Sequence, residues 1–135
     1  MKMKSDINDR VDIINLVDAF YKKVQNNKLI GPVFTDIAKV DWVHHLPKMY
    51  DFWETILFGK AIYKGNPMLT HIALNQKAKL QTEEFETWKG IFFSTVDELF
   101  EGENAEIIKQ KAQSIADLMD FKVNRPNPQV MIKGK

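Results

Sequence analysis

Cysteine is absent from the 135 residues. Disulfides, thiolate metal sites and cysteine nucleophiles are therefore excluded, and a reducing compartment is the natural setting. Long apolar runs are absent as well. None approaches the ~20 residues needed to span a bilayer, and the opening MKMKSDINDR carries no apolar segment of the kind a secretion signal needs. The expectation is a cytoplasmic protein with no membrane partner. Charge of one sign is also lacking, since 19 basic and 18 acidic residues leave a formal net charge of +1. No broad positive field is available to draw in a phosphate backbone, so nucleic acid is not an expected partner. Internal repeats are missing too, as is any alternating apolar pattern long enough to build a sheet.

What is present is helical periodicity. Apolar residues recur every three or four positions in several windows separated by Gly, Pro and Asn, which predicts an all-α class. From Asp9 to Asn26 the series Val11, Ile14, Val17, Tyr21 and Val24 forms a stripe that Ile13, Leu16 and Phe20 widen. The stretch from Lys28 to Val40 contains Gly31-Pro32 and reads as a turn followed by short helical pieces around Phe34. A second long helix is predicted from Trp42 to Leu57, with Asp41 as its cap and Gly59 just past its end. Gly65-Asn66-Pro67 signals the start of a short helix, Met68 to Leu74.

Thr82 is the predicted cap of a third long helix bearing Phe85, Trp88, Phe92, Val96 and Leu99. After Gly102, Asn104 is the predicted cap of a fourth, with Ile108, Ala112, Ile115 and Met119 on one face. Residues 1–122 are expected to form one domain, and a chain of this size buries roughly 70% of its unfolded surface. Residues 123–135, with Pro126 and Pro128 and no periodicity, are expected to be a mobile tail.

The stretch DWVHHLPKMYDFW, residues 41–53, sets two histidines side by side. On a helix His45 shares a face with Met49, Phe52 or Trp53, and Ile56, whereas His44 aligns with the polar Lys48, Asp51 and Thr55. His45 is therefore predicted to face inward and His44 water. Pro47 can tighten or kink the helix start and so alter that phase. The third histidine, His71, sits between Met68 and Ile72 on the short helix. Each inward histidine has an ordinary role open to it, as a core residue whose ring nitrogens meet backbone groups.

Metal ligation is the other role, and the known constellations narrow it. A di-iron bundle needs Glu-x-x-His on two helices, and the chain has none. Zinc needs three or four protein ligands, and neither HExxH nor a cysteine set is present. Haem needs one histidine and an apolar slot with a polar distal side. Phe20, Tyr21, Phe34, Phe52, Trp53, Phe85, Trp88 and Phe92 are spread over four segments that folding can bring around a flat ligand, though aromatics at helical spacing also serve simply as core. Tyr21 and Trp88 differ from the rest, because each lies in an apolar stripe and carries an O–H or N–H that is costly to bury without a partner.

Five pieces in order, FYKKV (20–24), GPVF (31–34), DWVHHLPKMYDFW (41–53), YKGNPMLTH (63–71) and FETWKGIF (85–92), make the chain resemble the truncated haemoglobins, specifically their third group, from about Asn8 to Lys122. The absence of a Gly-Gly pair agrees with that group. Glu84 departs from it, since many relatives carry a histidine before this phenylalanine; its place at a helix start keeps it away from iron chemistry. The resemblance implies a two-over-two helical sandwich around haem b, with a pentacoordinate iron held by His71. It implies Tyr21, His45 and Trp88 as polar distal residues, and Phe34, Met49, Phe52 and Trp53 as apolar pocket walls. It further implies a diatomic ligand (O2, NO or CO), an unidentified reductase, and NO-detoxifying or peroxidase-like turnover as options beside plain ligand binding. Two alternatives stay open from the residues alone: a ligand sensor without turnover, and a haem-free all-α interaction domain.

Overall fold

The computed structural model describes residues 4–34, 41–59 and 81–124, the last three of these by backbone alone. Among the described residues four long helices run in order: α1, Arg10–Asn26; α2, Trp42–Phe58; α3, Thr82–Leu99; and α4, Glu103–Asn124. α1 packs on α2 and α3, and α4 packs on α3 and α2, so that one pair lies over the other. The predicted short helix from Met68 to Leu74, with His71, lies outside the described residues. α4 continues through Val123 to Asn124, and residues 125–135 also lie outside them.

α1 starts at the predicted cap, where the Asp9 carboxylate accepts the Asp12 N–H at 3.1 Å. It buries Ile13, Leu16, Val17, Phe20, Tyr21 and Val24. Val11 was expected in that stripe and is instead 62% exposed. The buried stripe is centred on Ile13, Leu16, Val17 and Phe20, and Val11 lies two residues, about 200° of helical rotation, from Ile13. Past the helix, Gly31 donates its N–H to Asn27 O at 2.9 Å and folds back on α1 so closely that a Cβ there would sit 2.8 Å from Gln25 O. Only glycine fits that approach, and it returns Phe34 toward Tyr21.

α2 matches its predicted limits to within one residue, and Gly59 closes it at φ +74°. Pro47 lies inside it without ending it. The hydrogen bond that proline removes belongs to the carbonyl of Val43, a residue 78% exposed, where solvent can take its place.

The starts of α3 and α4 differ from expectation. Gln81, not Thr82, occupies the cap of α3, and its N–H donates to Glu84 Oε1 at 2.9 Å. Thr82 is the first helical residue, and its hydroxyl reaches across to Asp120 Oδ1 of α4 at 2.9 Å. Asn104, the predicted cap of α4, is already helical. The N–H groups of Asn104 and Ala105 instead donate to the two oxygens of Asp6, each at 2.9 Å. Gly102 makes room for this carboxylate: its φ is +148°, and a Cβ would fall 2.5 Å from Asp6 Cγ. At the end of α3, Leu99 is 38% exposed and Phe100 is buried in its place, because the helix stops and extended backbone at Phe100 turns its ring inward.

Between the layers lies a core led by Trp53, Phe20 and Phe92, joined by Ile7, Ile13, Leu16, Val17, Val24, Val96 and Ile108. No helix among the described residues is long and apolar enough to cross a membrane.

Candidate functional site

Where α1 ends and α2 begins, four rings meet. Tyr21 and His45 stand edge to face with centroids 5.3 Å apart, and Trp42 lies 5.3 Å from Tyr21 and 5.6 Å from His45. Phe34 closes the group, 6.1 Å from Tyr21 and stacked at 6.1 Å on Trp42. Tyr21 is there because it shares the buried face of α1 with Val17 and Val24, one turn to either side. His45 is there because it lies on the inner face of α2, and its Nε2 is shielded from water.

His44 points the other way, its side chain 78% exposed, and its Nδ1 pairs with Asp41 Oδ2 at 2.7 Å. That hydrogen bond holds the Asp41 carboxyl below the usual carboxylate range. The carboxylate at the cap position is thus spent on a side chain and makes no cap bond to the helix backbone.

From His45 the inner face of α2 continues through Met49, Phe52 and Ile56, all half-buried. Trp53 is different: it is 2% exposed and stacks on Phe92 of α3 at 4.8 Å, within the core. Phe92 stacks in turn on Trp88, 5.8 Å away and nearly parallel at 9°. Trp88 is half-buried. Phe20 stands between Tyr21 and Trp88, 4.8 Å from Tyr21 and 5.7 Å from Trp88.

Of the residues picked out in the sequence, the structure thus joins Tyr21, His45 and Phe34 directly, sets Met49 and Phe52 along the same face of α2, and connects Trp88 through Phe20. His71 lies outside the described residues. Trp42 is the member that sequence reasoning missed. Its signal was available, since it sits three residues before His45 and therefore beside it on the helix. Among the described residues no cluster of three or more His, Cys, Asp or Glu side chains could hold a metal ion.

Half-buried apolar walls with imidazole, phenol and indole groups among them suit a flat, apolar ligand that has one polar point. The chain's similarities agree with that geometry. The family described as bacterial-like globin matches residues 6–122. The group 3 truncated hemoglobin ctb of Campylobacter jejuni is 31% identical over 117 residues, covering 84% of this chain and 90% of that protein. A crystal structure of group III truncated hemoglobin from Campylobacter jejuni superposes with a TM-score of 0.79 at 29% identity, covering 91% of this chain and 97% of that one.

Proposed function

Because this chain belongs to the bacterial-like globins, and within them to the group III truncated haemoglobins, we propose that it holds haem b and uses it to bind O2 and NO. What carries this reading is the meeting of Tyr21 and His45 from two helices, 5.3 Å apart, at the edge of an apolar wall. The residues fit the cofactor. Phe34, Met49, Phe52 and Trp88 are half-buried while the core rings behind them, Phe20, Phe92 and Trp53, are fully buried, so apolar surface is left on the side where a porphyrin would lie. His71 is the residue proposed to anchor it.

Held there by His71, haem would supply the iron at which a diatomic gas binds. The chain's part is to give that gas a polar setting in an apolar slot. The Tyr21 hydroxyl and the Trp88 indole N–H are donors, and a hydrogen bond to a ligand that has gained negative charge contributes about 1.5–3 kcal/mol. O2 polarises more than CO, so the donors favour O2. Phe34 and Trp42 flank Tyr21, which is 5% exposed, and a bond made by a hydroxyl so shielded from water is strengthened. His45, in the first turn of α2, is proposed to control access. NO removal and peroxide turnover are compatible extensions, the first needing a reductase to return the iron to its ferrous state and the second an oxidisable substrate as electron donor.

The visible spectrum of the purified protein tests the reading. A haem band at about one haem per chain is expected. It should be lost in His71→Ala and restored by added imidazole; a native histidine-ligated spectrum in His71→Ala without imidazole would overturn the anchor assignment.

A further inference from the structure

Away from the four rings, α1 and α2 are tied together a second time. Arg10 Nη1 lies 2.9 Å from Asp51 Oδ1 and 2.6 Å from Glu54 Oε1. The guanidinium also sits over the Tyr50 ring, 5.8 Å from its centroid, and the Tyr50 hydroxyl donates to Asp18 Oδ1. Partners on α2 fall in number as those on α1 rise: Arg10 meets 51 and 54, Asp18 meets 50, and Tyr21 meets 42 and 45. The two helices therefore run in opposite senses along their contact.

Glu54 is the unusual member of this network. Its residue exposure is 3%, and it is the one buried charged side chain among the described residues. Taking a carboxylate out of water costs free energy that an apolar residue at the same place would not. Stability is thus a poor reason for Glu54: its partner guanidinium is 40% exposed, so the carboxylate alone carries the cost of burial, and ionic contacts of this kind can fix register.

Geometry supplies the reason here. Glu54 and His45 are nine residues apart on α2, about 13.5 Å along its axis, and each meets α1 at its own level. Holding Glu54 at Arg10 and letting His45 touch Tyr21 leaves a single rotation of α2 about its own axis that satisfies both. Apolar packing alone is non-directional and tolerates a slip, whereas a 2.6 Å bond to a guanidinium does not. The same rotation turns the neighbouring Trp53 onto Phe92, and Phe92 carries Trp88.

We infer that the Arg10–Glu54 pair is a positioning latch that sets the rotation of α2 and thereby holds His45 at Tyr21. Arg10 and Glu54 touch no ligand in this scheme; they act through His45 and Trp53. The functional meaning of the latch rests on the gas-binding role proposed for Tyr21 and His45, but its mechanical action does not.

The test separates the two. In the double variant Arg10→Met with Glu54→Leu both charges go and the volume stays largely filled. The melting temperature should be equal to the parent's or higher. The nuclear Overhauser contact between the Tyr21 and His45 rings should weaken. In the haem-loaded protein O2 release should quicken on the order of threefold to tenfold, as for residues that modulate a site they do not touch. Glu54→Gln, which keeps the shape and an acceptor for Arg10, should fold as the parent does and weaken the contact less. The Overhauser contact reports on the latch in a chain with or without haem, so failure of the haem reading is distinguishable from failure of this one. A parent-like Tyr21–His45 contact in both variants overturns the inference, and so does a double variant that cannot fold, since the pair would then be a stability element.

Discussion

A phenol beside a carboxylate gives up its proton late. The Tyr50 pKa is pushed up to about 12, first by burial of the ring and then by the hydrogen bond to Asp18, which would face a phenolate as a like charge. Folded Tyr50 keeps its proton where the unfolded chain loses it near the ordinary value of 10.0. The stability contributed by this group is therefore complete below pH 10 and is lost as pH rises through about 12. A phenolate absorbance titration should show a tyrosine ionising near that upper value, and Tyr50→Phe should remove that step. At the proposed gas site the decisive groups are again single polar atoms. Tyr21→Phe and Trp88→Phe keep the packing and delete one donor each, and each should speed O2 release roughly tenfold or more, with a smaller effect on CO. Stopped-flow release from parent, singles and double should also show non-additivity, because donors that share one ligand are coupled.

At the scale of the helices, the ends decide as much as the stripes. Gln81 and Glu84 close the start of α3 locally, and Glu84 thereby has a structural task at a helix start. The start of α4 depends instead on Asp6, whose carboxylate takes two backbone N–H groups while Asn104 Nδ2 returns a bond to Ile7 O at 2.7 Å. The N-terminal segment is held further by Glu101 N–H donating to Ser5 O at 3.0 Å, and Ile7 is fully buried. Asp6→Ala removes the cap and should cost about 1–2 kcal/mol. Urea unfolding measures this as a lower midpoint at unchanged slope. Asp6→Asn, which retains one acceptor, should lose less.

For the molecule as a whole, Phe92 is the ring on which the two layers agree. It stacks on Trp53 of α2 and on Trp88 of its own helix, and meets Phe20 of α1 edge to face at 5.1 Å. It is fully buried, so nothing can move in to fill a space left there without disturbing one of those rings. Phe92→Ala should destabilise the protein by about 3–5 kcal/mol, and calorimetry or denaturant unfolding will read it. Phe92→Leu should cost less, since more of the volume remains filled. A parent-like midpoint in Phe92→Ala would mean that the rings can close over the cavity.

What the sequence determined by itself is whatever depends on near neighbours along the chain. Periodicity of three and four marked four long helices and their class, and the phase of one helix was enough to set His45 inward and His44 outward, because the angle between successive side chains is a local constant. Tyr21 and Trp88 were recognisable as polar tips in apolar stripes for the same reason. The edges of those stripes were not legible: Val11 and Leu99 satisfy the spacing, yet burial depends on where a neighbouring helix lies. Nor could spacing show that Asp6 caps a helix starting nearly a hundred residues later, that Thr82 serves Asp120 rather than its own helix, or that Trp42 joins Tyr21 and His45. Glu54 is the sharpest case, since in the sequence it is one more acidic residue after Trp53. Only packing α1 on α2 buries it and brings Arg10 to it, and a charge acquires its meaning from what surrounds it in space, which no local spacing encodes.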